Sequence, residues 1–119
     1  MKKILIVEDV EMNRDLLIQL LEDRYELIEA ADGRQGLELA ARERPDLILL
    51  DISLPEMDGW EVIHKFREEE GLRHTPVIAV TAHAMTGDEA KAHASGFDDY
   101  LAKPIDEEEL WAKIDKHLA

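Results

Sequence analysis

Short apolar runs that alternate with segments of helical periodicity constrain the fold of this chain more than any other feature. Four of the runs, at residues 4–7, 47–50, 77–80 and 100–102, end in polar groups: Glu8 and Asp9, Asp51, Thr81, and Lys103. Near-continuous apolar runs of this length are typical of parallel strands that helices cover on both faces. Parallel strands bring their carboxyl ends to one edge, which is where open α/β sheets bind ligands. We therefore expect the polar groups to converge there.

The segments between the runs carry apolar residues on one helical face. In the first of them the apolar positions recur at helical spacing: Leu16, Leu17, Leu20 and Leu21. Comparable sets predict four further helices: Leu37, Leu39, Ala40 and Ala41; Val62, Ile63 and Phe66; Ala90, Ala92 and Ala94; and Leu110, Trp111, Ile114 and Leu118. A further strand is predicted at residues 27–31. Five βα units result, and right-handed crossovers arrange them as a three-layer α/β/α sandwich.

Capping residues and glycines indicate the helix boundaries. An oxygen acceptor is followed three residues later by Glu or Gln in four places: Asp32 and Gln35, Asp58 and Glu61, Thr86 and Glu89, and Asp106 and Glu109. This is the spacing of a capping box. Gly71 and Gly96 are expected to end the third and fourth helices, because glycine readily adopts the left-handed conformation found there.

Length and charge narrow the class of protein. The chain has 119 residues, no cysteine and a formal net charge of −14. The length predicts one domain, and the absence of cysteine excludes disulfides and thiol catalysis. The negative charge argues against binding to nucleic acid phosphates or to anionic membranes. The apolar run behind Met1 is too short for a signal peptide or a membrane span, so a cytoplasmic protein is expected.

Three carboxylates, those of Glu8, Asp9 and Asp51, are expected at one strand edge together with Lys103 and the Thr81 hydroxyl. Carboxylates this close repel one another and raise one another's pKa values. An ammonium group and a Mg²⁺ ion would offset that repulsion. An aspartate in such a site serves as a metal ligand or as a nucleophile that forms an acyl phosphate. The residues alone leave these two roles open.

The polar strand ends lie within motifs that resemble the receiver domain of two-component response regulators of the chemotaxis-regulator type. The matching segments are residues 5–9, 51–59, 80–82 and 100–104, in the expected order over nearly the whole chain. The resemblance implies a flavodoxin-like (βα)5 fold with strand order 2-1-3-4-5 and one receiver domain over residues 1–119. It implies a phosphorylation-dependent signalling switch in a phosphorelay, and not an enzyme beyond self-phosphorylation and slow autodephosphorylation of Asp51.

The resemblance also implies which residues form the phosphorylation site. Asp51 would accept the phosphoryl group. Asp9, Asp51 and the backbone carbonyl of Ser53 would ligate Mg²⁺, with Mn²⁺ as the alternative ion, and Glu8 would act through a metal-bound water. Lys103 would contact the phosphoryl oxygens.

The remaining implied roles concern the response to phosphorylation. Thr81 would close on the phosphoryl group, and Tyr100 would turn inward as Thr81 moves. The Lys103–Pro104 peptide bond would be cis, a geometry that only proline adopts at low cost. Apart from the resemblance, His83 lies two residues past Thr81 and is expected to influence how water approaches the site.

The implied partners are proteins. A histidine kinase or a histidine phosphotransfer protein would donate the phosphoryl group, and a downstream protein would bind the face formed by the fourth helix, the fifth strand and the fifth helix. The protein would be a monomer or a weak phosphorylation-dependent dimer, and a stand-alone receiver is expected. A receiver cut from a hybrid histidine kinase or a longer regulator is the alternative.

Two rival functions are weaker on the residues present. A phosphatase with an aspartyl nucleophile would need an acid at the position of Ser53. A receiver that binds partners without phosphorylation would not need the intact set of acids, threonine and lysine. The five histidines lack metal-ligand spacing and are interpreted as surface residues, and Trp60 and Trp111 are interpreted as packing residues.

Overall fold

A computed structural model of the chain describes residues 1–82 and 88–118. In that part of the chain five strands alternate with five helices. The strands are β1 (Lys3–Val7), β2 (Glu26–Ala30), β3 (Leu47–Asp51), β4 (Val77–Thr81) and β5 (Asp99–Ala102). The helices are α1 (Glu11–Leu21), α2 (Gly33–Glu43), α3 (Gly59–Glu68), α4 (Asp88–Ser95) and α5 (Glu107–Leu118), and a 3₁₀ turn spans Glu70–Leu72.

The strands form one parallel sheet in the order β2-β1-β3-β4-β5. This is the order that the resemblance implied, and periodicity alone does not provide it. The register places Val7 beside Leu50 and Asp51 beside Val80. The polar residues that end or directly follow β1, β3, β4 and β5 therefore lie along the same edge of the sheet, as the sequence predicted.

Alternate residues of the strands pack on opposite faces of the sheet, which gives two apolar layers. On one face α1 and α5 cover the sheet with buried residues such as Leu17 and Ile114. On the other face α2, α3 and α4 contribute Ala40, Phe66 and Ala92. The sheet is thus buried on both sides, which is why its strands read as apolar runs in the sequence.

Capping explains where three of the helices begin. Asp32, Asp58 and Asp106 each accept a hydrogen bond from the backbone N–H three residues later, at 2.8, 3.0 and 3.1 Å respectively. These contacts confirm three of the four predicted caps. The fourth predicted cap, Thr86, lies outside the described residues.

The predicted ends of α3 and α4 had different outcomes. Gly96 follows α4 directly with φ of +113°, so the prediction for α4 is confirmed. The prediction for α3 is wrong, because the helix stops at Glu68 and Gly71 lies within the 3₁₀ turn. The physical reason is the extended backbone of Glu69, with ψ of 123°, which ends the helix before the chain reaches Gly71.

No helix in the described ranges is both long and apolar enough to cross a bilayer.

Candidate functional site

The carboxylates of Glu8, Asp9 and Asp51 meet at the edge of the sheet where β1 and β3 end. One carboxylate oxygen from each residue lies within 4.8 Å of the others. Glu8 and Asp51 are almost fully buried, at 1% and 4% exposure, whereas Asp9 is more exposed. The fold therefore brings together the three acids that the sequence predicted at one site.

Lys103, which follows β5, supplies a positive charge to this cluster. Its Nζ donates to Glu8 Oε1 at 2.7 Å and lies 3.4 Å from Asp51 Oδ2. The Asp51 carboxylate is also held from the other side, since the Ser53 N–H donates to its Oδ1 at 2.9 Å. The second oxygen of Glu8 accepts the Val10 N–H at 3.1 Å. Both buried carboxylates are thus oriented by hydrogen bonds.

Burial and neighbouring charges change the pKa values of Glu8 and Lys103. Burial raises the pKa of Glu8 from 4.5 to about 7, and the neighbouring Asp51 adds to the rise, while the hydrogen bond from Lys103 opposes it. Burial of the Lys103 ammonium favours its neutral form, but the contacts with Glu8 and Asp51 outweigh burial and raise the pKa of Lys103. The folded protein therefore keeps the Glu8 proton to a higher pH than the unfolded chain does. As a result, the free energy of unfolding of the metal-free protein falls as the pH rises from about 4.5 towards 7.

The donor set suits a hard divalent cation. Three ionised carboxylates and one ammonium leave two uncompensated negative charges, which a divalent ion would balance. Carboxylate and carbonyl oxygens are the ligands that Mg²⁺ prefers, and the ion usually uses one or two carboxylates with water and phosphate oxygens. The residues present therefore fit a magnesium site.

A glycine allows α3 to pack directly against the backbone of the acidic site. The Gly59 N–H donates to Ile52 O at 2.8 Å at the start of the helix. A Cβ atom at this position would lie 2.5 Å from Ile52 Cα and 2.7 Å from Asp51 O. Any larger residue would displace the backbone that carries Asp51, which explains why glycine occupies this position.

The remaining predicted residues lie nearby. Thr81 ends β4 and is 3% exposed, and its carbonyl accepts the Lys103 N–H at 2.7 Å. The Lys103–Pro104 bond is cis, as the resemblance implied. Tyr100 is 8% exposed and belongs to the same apolar layer as Ala92 of α4. His83 lies outside the described residues.

The interpretation of the histidines as surface residues is wrong for His117. Its side chain is 17% exposed, and its Nε2 lies 2.9 Å from Asp99 Oδ2. Lys113 approaches the same carboxylate at 3.3 Å and donates to the Tyr100 carbonyl. Burial opposes ionisation of Asp99, but His117, the Tyr100 N–H and Lys113 outweigh it and lower the pKa of Asp99. The spacing of Lys113 and His117 on one face of α5 was the available signal in the sequence.

Comparison with known proteins identifies the family. The family model of the response regulator receiver domain matches residues 4–115 of this chain. This chain belongs to the response regulator receiver domain family. A relative, the polar-differentiation response regulator DivK of Brucella anthropi, is 49% identical over 105 residues, which cover 87% of this chain and 85% of the relative.

Solved structures agree with this assignment of the receiver domain. Chemotaxis protein CheY4 of Vibrio cholerae superimposes with a TM-score of 0.93 at 31% identity and covers 99% of both chains. The receiver domain of the sensor histidine kinase PA1611 of Pseudomonas aeruginosa has a TM-score of 0.91 at 36% identity, covering 98% of this chain and 97% of that one. That structure holds a magnesium ion in its active site cleft.

The family membership establishes the general function. The receiver domain is a phosphorylation-dependent switch in two-component signalling. Receiver domains are signalling proteins that interact with histidine kinases and with downstream effectors. The family match does not favour the phosphatase alternative.

Proposed function

We propose that Asp51 is the residue that accepts the phosphoryl group. The supporting observation is the difference between the two buried carboxylates. Both oxygens of Glu8 are engaged, at 2.7 Å with Lys103 and at 3.1 Å with the Val10 N–H. Asp51 Oδ1 also accepts a hydrogen bond, from the Ser53 N–H at 2.9 Å, whereas its Oδ2 has a longer contact of 3.4 Å to Lys103 and belongs to the same acidic cluster. Asp51 is therefore better placed to attack phosphorus, while Lys103 contacts the transferred oxygens.

The surrounding residues would bind the cation that phosphoryl transfer requires. Asp9, Asp51 and the Ser53 carbonyl would hold Mg²⁺, with Glu8 acting through a water, and the ion would supply positive charge to the phosphoryl oxygens. Mn²⁺ would serve in its place. The fit of the donor set and the magnesium ion in the P. aeruginosa receiver domain support this assignment.

The switch would pass from Asp51 to the face formed by α4, β5 and α5. The phosphoryl group adds charge and acceptor oxygens, which would draw in Thr81 and Lys103. Thr81 pairs with Ala102 across β4 and β5, and Tyr100 packs in the layer that holds α4. A movement at Thr81 would therefore change the packing of Tyr100 and the surface that a downstream protein binds in the cytoplasm.

Labelling with a small acyl phosphate in the presence of Mg²⁺ tests the assignment of Asp51. We expect intact-mass spectrometry to find one added phosphoryl group on the wild-type protein and none on Asp51→Asn. Asp23→Asn, an exposed acid in the turn after α1, serves as the matched control and should label like the wild type. Equal labelling of Asp51→Asn would contradict the proposal, and repeated turnover of an aryl phosphate would instead support the phosphatase.

The phosphohistidine donor would dock on the exposed apolar strip at the start of α1. Val10, Met12 and Leu16 are 47, 80 and 45% exposed, and the strip begins directly after Glu8 and Asp9. The three side chains line one surface cavity, and exposed apolar residues grouped in this way are typical of protein-binding surfaces. Their position beside the acidic site suits an apolar helix surface around the phosphohistidine of a kinase or phosphotransfer protein.

Met12→Glu separates docking from chemistry. A panel of purified kinases is first tested for the one that phosphorylates the wild-type protein fastest. With that kinase, we expect Met12→Glu to slow phosphoryl transfer by about tenfold or more. Labelling by the small acyl phosphate should be unchanged, because that donor does not use the strip. Ala41→Glu, at an exposed alanine near the end of α2, is the control. Unaltered transfer to Met12→Glu would exclude the strip as the docking surface.

A further inference from the structure

Arg14 reaches back from α1 to the loop that carries the acids. Its side chain is 16% exposed, although it is charged and close to the surface. Nη1 donates to the Glu8 carbonyl oxygen at 2.9 Å, and Nε donates to Glu29 Oε1 on β2 at 3.1 Å. One guanidinium group thus joins α1, the β1–α1 loop and β2 at the edge of the acidic site.

The carbonyl that Arg14 contacts belongs to the peptide bond between Glu8 and Asp9. Because a peptide bond is planar, the direction of this carbonyl also determines where the Cα atom of Asp9 lies. The amino side of Glu8 is held separately, since its N–H donates to Ala30 O at 3.0 Å. Arg14 therefore contacts the peptide group that links Glu8 to Asp9, and this group determines where Asp9 lies relative to Glu8.

We infer that Arg14 is a positioning residue that holds Glu8 and Asp9 in the arrangement that binds the divalent cation. This inference rests on the proposed cation site. Glu29 assists because its hydrogen bond with Nε holds the guanidinium in the orientation in which Nη1 reaches the Glu8 carbonyl. Groups outside the direct ligands that orient carboxylates typically change metal affinity by about ten- to a hundredfold.

Two simpler roles for Arg14 predict different results. If Arg14 acted through its charge alone, removing it would strengthen cation binding, because a positive charge near the site repels the ion. If the contact with Glu29 were an ordinary surface ion pair, its loss would change stability by about 1 kcal/mol or less and leave cation affinity unchanged. Only a positioning role predicts that Mg²⁺ binds more weakly when the positive charge of Arg14 is removed.

Cation binding by Arg14→Lys and Arg14→Met tests the inference. Mg²⁺ is titrated into folded, unphosphorylated protein and followed by amide NMR shifts, and the melting temperature without Mg²⁺ is measured separately. We expect the dissociation constant to rise about tenfold in both variants, since lysine keeps the charge but cannot make both contacts. Arg42→Met, which removes an exposed arginine at the far end of α2, should bind like the wild type.

The outcomes separate this inference from the proposed function. Tighter binding by Arg14→Met with unchanged binding by Arg14→Lys would overturn the positioning role and support a purely electrostatic one. A lower melting temperature with an unchanged dissociation constant would leave only a structural role. If Arg14→Met does not fold, Arg14→Lys decides the result. Absence of Mg²⁺ binding by the wild-type protein would instead overturn the proposed cation site itself.

Discussion

Lys103→Met is expected to slow phosphorylation of Asp51 by about a hundredfold or more, because it removes a donor placed to contact the transferred oxygens. It is also expected to destabilise the metal-free protein by about 3 kcal/mol. The second effect follows from the burial of Glu8 and Asp51, whose charges the Lys103 ammonium partly neutralises at 2.7 and 3.4 Å. Methionine fills similar space, so the change reports on charge more than on packing.

The stability loss in Lys103→Met should depend on pH in a defined direction. The pKa of Glu8 is raised to about 7 by burial, and the hydrogen bond from Lys103 opposes that rise. Without Lys103 the pKa of Glu8 rises further, so the folded variant retains a proton that the folded wild type loses. The difference in free energy of unfolding should therefore grow as the pH increases through about 7.

Urea unfolding without Mg²⁺ at several pH values, together with acyl phosphate labelling, measures both effects. Lys116→Met, at an exposed lysine on α5, is the matched control and should change neither quantity. If the difference in free energy of unfolding between Lys103→Met and the wild type shrinks above neutral pH, Lys103 does not lower the pKa of Glu8 as described. If Lys103→Met is labelled at the wild-type rate, Lys103 does not take part in phosphoryl transfer to Asp51.

Arg67→Met is expected to reduce the free energy of unfolding by about 3 kcal/mol. The guanidinium of Arg67 donates to the carbonyls of Gly96, Leu72 and Thr75 at 2.9, 3.0 and 2.8 Å, and to Asp98 Oδ2 at 2.8 Å. These acceptors lie on the segments before β4 and β5, so one side chain joins α3 to both connections. Methionine would leave the carbonyls without these donors, and it cannot replace the planar arrangement of N–H groups.

Chemical unfolding of Arg67→Met, Arg67→Lys and Arg73→Met tests this expectation. Lysine keeps the charge but reaches fewer acceptors, so Arg67→Lys should be intermediate. Arg73→Met removes an exposed arginine from the same connection and should be nearly neutral. Acyl phosphate labelling of the folded fraction should stay at the wild-type rate, because Arg67 lies at the edge opposite Asp51. A loss below about 1 kcal/mol for Arg67→Met would mean that the contacts do not stabilise the fold.

Local sequence signals were reliable where the interaction is local. The cap at Asp58 involves the N–H three residues later, and Gly96 ends α4 through its own backbone conformation. The end of α3 was not predictable in this way. Gly71 is a local signal for a helix end, but the helix stops at Glu68, where Arg67 turns towards the segments before β4 and β5.

The sequence by itself determined the strands and the polar residues at their ends, including Asp51 and Lys103, because the apolar period and the order of residues along a strand are properties of the chain. The order of the sheet came from resemblance to a family and is confirmed by the structure. Tertiary structure alone decided which atoms of distant residues come into contact. Lys103 and Glu8 are 95 positions apart, and Asp99 and His117 are 18 apart. Such contacts depend on how the strands and helices pack together, which no local pattern specifies, and the contact between Lys103 and Glu8 affects the pKa of both groups.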